Sequence, residues 1–290
     1  MCRLFGMTGG PERIRATFWL LQAPDSLSDQ SHREPDGTGL GTFSEDGRPV
    51  MSKQAVAAYS DKKFATEAKE VKSRTFVAHI RYASNGAVEL KNTHPFEQEG
   101  RLFAHNGVIG DVNRLDAGLG DARSLVAGDT DSERFFALIT REAQETGDLG
   151  QGIRSASTWV AQNLPIFAIN FVLITPSDVW ALRYPDTHEL HVLKRAAGGP
   201  DGNSHLEHSG DPHETRVHSA HLAEHPSVVV ASEPMDDDPA WQALESGQLL
   251  HVDGDLGATI ETILPGPPTQ QLTLADLDPK AAASQRKSGQ

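Results

Sequence analysis

The order of hydrophobic periods along the chain limits its fold more than any other feature. Short β-type segments recur at Arg3–Met7, Gly39–Phe43, Thr75–Tyr82, Leu102–Ala104, Phe167–Thr175, Val179–Arg183, Leu190–Lys194, Val228–Ala231, Leu249–Val252 and Ala258–Ile263. They are interrupted by two consecutive segments with clear helical periodicity, Asp131–Glu145 and Ile153–Asn163. Weaker helical patterns lie at Arg13–Leu21 and Asp61–Val71. Strands, then helices, then strands again fit an α+β layered protein, because parallel α/β sheets need a helix between most strand pairs.

The 290 residues carry 26 basic and 40 acidic side chains, a formal charge of −14, which argues against nucleic acid and anionic membranes as partners. The longest apolar stretch, Pro165–Ile174, falls far short of the roughly 20 residues needed to span a bilayer. No secretory signal is readable at the N-terminus, so a cytoplasmic location is expected. Residues 196–225 lack apolar periodicity and read as a mobile polar loop; residues 265–290 read as a polar, largely disordered tail. The expected domain is therefore 2–264.

A single cysteine excludes an internal disulfide and a thiolate metal site. It is Cys2, and a small residue after Met1 permits removal of the methionine. Cys2 would then hold a thiol and a free α-amine, whose ordinary pKa of about 7.7–8.0 suits a general base. Position alone leaves an incidental cysteine equally open. Eight of the 13 histidines fall between His188 and His225, with H-x2-H spacings at 188–191, 205–208 and 218–221. A polar loop seldom supplies the fixed geometry a metal needs, so solvated histidines are the better reading and no metal or other cofactor is expected.

Other residues have a bland reading beside a chemical one. Arg81 ends the apolar strand of FVAHIRYASNG (76–86); a buried guanidinium there wants either a structural carboxylate or a substrate carboxylate. Asn106 and Gly107, in LFAHNGVIG (102–110), read as a strand-end turn, or as two neutral donors for an oxyanion. Thr130 and Glu133 fit a capping box, making Asp131 either a first-turn acid or a partner for a substrate ammonium.

Cys2, HIRYASNG, THPF (93–96), AHNG (104–107) and DTDSE (129–133) stand in the order and spacing of class II glutamine amidotransferases, and the chain resembles that N-terminal nucleophile family. SHREPDGTGLGTF (31–43) and VVVASEPMDDDPAW (228–241) extend the likeness. The latter is similar to the stand-alone branch that includes the ergothioneine-pathway γ-glutamyl hydrolase. The resemblance implies a four-layer αββα sandwich. It implies Cys2 as nucleophile and base, Asn106 and Gly107 as oxyanion hole, Arg81 and Asp131 on the α-carboxylate and α-ammonium of a glutamyl group, Tyr82 and Ser84 lining the pocket, and Arg33 in support. Relatives often have glycine at Glu34 and tryptophan at Thr38, departures that bear on substrate identity and loop closure.

The implied reaction is hydrolysis of a small γ-glutamyl amide through a thioester. The alternatives are a catalytically weak γ-glutamyl-binding protein and a glutaminase subunit that passes ammonia to a separate synthase. A homo-oligomer is compatible with either.

Overall fold

The computed structural model describes residues 2–32, 36–54, 56–81, 89–198, 222 and 224–285. Its strands are β1 (Arg3–Thr8), β2 (Gly37–Phe43), β3 (Pro49–Gln54), β4 (Thr75–Arg81), β5 (Phe96–Gln98), β6 (Arg101–Ile109) and β7 (Pro165–Ile174). They continue with β8 (Val179–Leu182), β9 (His191–Arg195), β10 (Ser227–Ala231), β11 (Gln242–Ala243), β12 (Gln248–Val252), β13 (Ala258–Thr262) and β14 (Gln270–Gln271). The α-helices are α1 (Leu27–Gln30), α2 (Lys62–Glu70), α3 (Val112–Leu119), α4 (Asp131–Thr146), α5 (Leu149–Asn163) and α6 (Pro279–Gln285).

Two seven-stranded sheets result. One runs β11-β9-β10-β1-β4-β2-β3; the other runs β13-β12-β8-β7-β6-β5, with β14 added parallel to β7. Every other pairing is antiparallel. Side-chain alternation along each strand separates the apolar residues into layers. Leu4, Val77, Leu102, Ala104, Val172 and Val230 meet between the sheets. Phe5, Met7, Phe76, Ile80 and Val229 face outward, covered by Phe18, Trp19, Leu27 and Phe64. Phe103, Phe171 and Leu173 point the other way, under Phe135, Phe136, Ile139, Ile153 and Val160 of α4 and α5. The architecture is the αββα sandwich.

α4 and α5 are the two helices expected from periodicity, and each has a side-chain cap: Thr130 Oγ1 accepts from the Glu133 N–H at 3.2 Å, and Asp148 Oδ1 from that of Gln151 at 2.7 Å. The capping box is only half made. Glu133 turns its carboxylate to the N–H groups of Ala127 and Gly128, at 3.1 and 2.6 Å, and so ties down the loop before α4. The weak pattern at Arg13–Leu21 yields only a short wide turn at Phe18–Gln22, where Phe18 and Trp19 pack edge to face.

The polar excursion expected at 196–225 falls almost wholly outside the described residues. The tail differs from expectation through residue 285. Sparse apolar residues suffice to hold it, because Leu272 and Leu277 pack on Val108, Phe167 and Ala168, and β14 adds main-chain pairing to the start of β7. Beyond Thr273, which bonds Asp276, the chain enters α6, whose first turn Asp278 caps.

Candidate active site

Cys2 sits directly before β1, and its neighbours fix it in place. The Leu4 N–H donates to Ser232 Oγ at 2.9 Å, the Ser232 N–H returns to the Leu4 carbonyl at 3.1 Å, and Arg3 pairs with Glu233 at 3.1 Å. These partners belong to the SEPMDDDPAW segment. Farther along it, Asp236 pairs with buried Arg195 at 3.3 Å and accepts from Trp241 Nε1 at 2.7 Å. The segment thus anchors the strand that carries the cysteine, a positioning role that its sequence did not announce.

β4 runs antiparallel to β1 with Arg3 opposite Ile80, which places Arg81 beside Cys2 at the same sheet end. Alternation from Val77 puts His79 and Arg81 on the inter-sheet face with Cys2. Arg81 is buried; burial lowers the pKa of its guanidinium, while the charges of Cys2 and Asp36 oppose the shift.

Asn106 and Gly107 do not form the expected turn. β6 runs straight through them, with Asn106 opposite Asn170 and Gly107 opposite Ile169. A local Asn-Gly signal is overridden by pairing with a strand distant in sequence. Glycine is required at 107 for a different reason: at φ 156° a Cβ would lie 1.8 Å from the Ala168 carbonyl oxygen. Asn106 Nδ2 donates to the Cys2 carbonyl at 3.0 Å, joining the two sheets at the cysteine. A carboxamide has a second N–H, so this bond leaves Asn106 another donor.

Asp131 is the first residue of α4. It is buried, and its Oδ2 accepts from the Ile109 N–H at 2.7 Å, locking the helix start to the end of β6. Cys2, Arg81, Gly107 and Asp131 line one small cavity of about 20 Å³, together with Thr130 and Ser132. Of the remaining candidates, Tyr82, Ser84 and Arg33 lie outside the described residues.

Three further residues of the cavity, His79, His94 and His105, were present in the sequence motifs but had been given no role, and a fourth, Asn92, stands just before THPF. Gly39 admits His94, since a Cβ there would fall 1.8 Å from the His94 carbonyl oxygen. The rings of His79 and His94 are 4.2 Å apart, and His105 Nδ1 is 2.9 Å from Ser132 Oγ. Burial, assisted by the positive Arg81, pushes His79 down to about 3; burial also carries His94 well below its ordinary value. Burial lowers His105 too, against the attraction of Asp131. The three imidazoles of the cavity wall are therefore held toward their neutral form, beside a guanidinium from Arg81 and a carboxyl group from Asp131. Such a site suits a zwitterion. Among the described residues no cluster of His, Cys, Asp or Glu is arranged to hold a metal ion, and no helix is long and apolar enough to cross a membrane.

The family model of class-II glutamine amidotransferases matches residues 1–274, and the chain belongs to that family. It is thus an enzyme of the amide hydrolase and amidotransferase kind. The γ-glutamyl-hercynylcysteine sulfoxide hydrolase of Mycolicibacterium smegmatis is 27% identical over 262 residues, covering 87% of this chain and 96% of the relative. Glutamine phosphoribosylpyrophosphate amidotransferase from B. subtilis superposes with a TM-score of 0.60 at 20% identity, over 92% of this chain but 50% of that one. A glutamine aminotransferase class-II domain protein from Silicibacter pomeroyi gives a TM-score of 0.60 at 19% identity, over 91% of this chain and 100% of the other. These two structures share their fold with this chain.

Proposed function

We propose that the protein hydrolyses the γ-amide of glutamine or of a small γ-glutamyl conjugate, with Cys2 as an N-terminal nucleophile. Removal of Met1 converts the Cys2 nitrogen from an amide, which cannot act as a base, into an amine that can. The amine takes the thiol proton as sulfur adds to the γ-carbonyl carbon. The resulting oxyanion is met by the second Nδ2 hydrogen of Asn106 and the N–H of Gly107. Collapse of the tetrahedral state breaks the C–N bond, and the protonated amine of Cys2 supplies the leaving nitrogen with its proton. Water then adds to the γ-glutamyl thioester, the same amine acting as base, and glutamate leaves with the thiol restored.

Arg81 takes the α-carboxylate in two parallel hydrogen bonds and Asp131 takes the α-ammonium. The family resemblance assigns Tyr82 and Ser84 to substrate binding and Arg33 to a supporting role. The observation that carries this reading is the convergence, in one cavity, of the only cysteine, a buried arginine and a buried aspartate, with Asn106 bonded to the cysteine carbonyl. A hydrolase needs no cofactor for these steps. The hydrolase relative, matched over nearly its whole length, supports a small γ-glutamyl conjugate as substrate.

The half-length match to the B. subtilis enzyme favours one further reading, a glutaminase that delivers ammonia to a separate synthase. Glutamate release from glutamine, glutathione and other γ-glutamyl compounds, measured with the purified chain, tests the proposal. Turnover of a conjugate supports the hydrolase; turnover of glutamine alone supports the ammonia source; turnover of neither leaves a binding protein.

A further inference from the structure

The Cys2 cavity has one wall from outside the catalytic sandwich. Gln285, the last residue of α6, lines it and is only 2% exposed. Its Oε1 lies 2.7 Å from His188 Nε2, and its Nε2 donates to Ser284 Oγ at 3.1 Å. The His188 carbonyl in turn accepts from Asn170 Nδ2 at 3.2 Å, and Asn170 stands opposite Asn106 in the sheet. A continuous set of contacts therefore joins the C-terminal helix to the residue that bonds Cys2. The family match ends at residue 274, before α6 begins.

The cavity, at about 20 Å³, has room for a water or two and is far too small for a γ-glutamyl group. Something in its wall must move before substrate enters. Among the described residues, α6 is a weakly held element of that wall. It has seven residues, and its apolar contact consists of the small side chains Ala281 and Ala282. The β4 and α4 walls, by contrast, are embedded in the sheet and the helical layer. The side chain that α6 presents is a carboxamide, the functional group on which the proposed reaction acts.

We propose that α6, Pro279–Gln285, is an intramolecular plug: it seats Gln285 against the Cys2 cavity, and substrate enters only when α6 undocks. Substrate entry in this form rests on the γ-glutamyl reading above; occlusion of the thiol does not. The docked population lowers the apparent affinity for any ligand of the cavity by the fraction of molecules that are open.

Because Cys2 is the only cysteine, its alkylation by iodoacetamide, followed by intact mass, reports opening without reference to any substrate. The full chain is compared with a chain ending at Asp278, with Ala282→Arg, which undocks the helix, and with Gln285→Ala. The proposal expects alkylation about tenfold faster or more in the first two, and a smaller acceleration in Gln285→Ala, at an unchanged melting temperature. A synthetic peptide of residues 279–290 should slow the shortened chain again. Unchanged or slower alkylation in the shortened chain and in Ala282→Arg overturns the proposal. So does acceleration confined to a variant that has lost its thermal transition. Faster alkylation without turnover of any γ-glutamyl compound keeps the plug and rejects the substrate.

Discussion

The side-chain amide of Asn106, in the middle of β6, donates to the backbone carbonyl of Cys2 at 3.0 Å across 104 residues of sequence. The bond crosses from one sheet to the other at the point where the proposed nucleophile begins its strand. It uses one of the two Nδ2 hydrogens, and the proposed mechanism assigns the other to the oxyanion. Asn106→Ala is expected to lower kcat by about 100- to 1,000-fold while changing ground-state affinity much less. Steady-state kinetics with thermal unfolding checks this; equal losses of affinity and stability with kcat preserved would reduce Asn106 to a structural tie.

Gly107 is a harder constraint. A methyl group at that position runs into the Ala168 carbonyl oxygen of the paired strand. Gly107→Ala should cost on the order of 2–4 kcal/mol, because relief requires separating β6 from β7. Chemical denaturation measures it, and a variant of wild-type stability would mean that the strand bends at this residue instead of pairing.

Arg81→Lys tests recognition. An ammonium cannot reproduce the planar fork of a guanidinium, and losing one charge-assisted contact of about 1.5–3 kcal/mol should lower kcat/KM by roughly ten- to a hundredfold. Unchanged kinetics with a lower melting temperature would make Arg81 the partner of a protein carboxylate only.

The buried histidines predict how stability depends on pH. His79, His94 and His105 all have folded values below the ordinary 6.5, so between the folded and unfolded values the unfolded chain binds protons that the native chain does not. Their contribution is therefore full above about pH 6.5 and is lost as pH falls toward the folded values, about 3 for His79. His79 alone should remove about 1.4 kcal/mol per pH unit once well inside its window. Melting temperatures from pH 7 to 5 should fall steeply for the parent and less for His79→Phe. Parallel curves for the two proteins would mean that His79 titrates alike in both states.

The layered fold was legible because it rests on period: alternation gave most strands of both sheets, and the 3.6-residue pattern gave α4 and α5. A strand-end arginine was legible as a costly residue too, since a buried guanidinium needs a carboxylate, and the structure does bury Arg81. What could not be read depends on distant pairing. Asn106-Gly107 has the local signature of a turn, and only β7, which approaches Gly107 through Ala168 and Ile169, makes it a strand. His79, His94 and His105 stood inside quoted motifs, but a neutral imidazole has no periodic or electrostatic mark in a sequence. The tail looked polar because its few apolar anchors, Leu272 and Leu277, matter only once Val108 and Phe167 are beneath them. Gln285 gave no sign of its place beside Cys2.

In the proposed reaction Cys2, with its amine free, attacks a γ-glutamyl carbonyl. The most direct test of this step is the intact mass of the purified protein before and after treatment with a diazoketone analogue of glutamine. The expected result is a chain lacking Met1 that gains one analogue adduct on Cys2, with no adduct in Cys2→Ala. A chain that retains Met1 and yet turns over γ-glutamyl substrate, or an adduct of equal yield in Cys2→Ala, would contradict it.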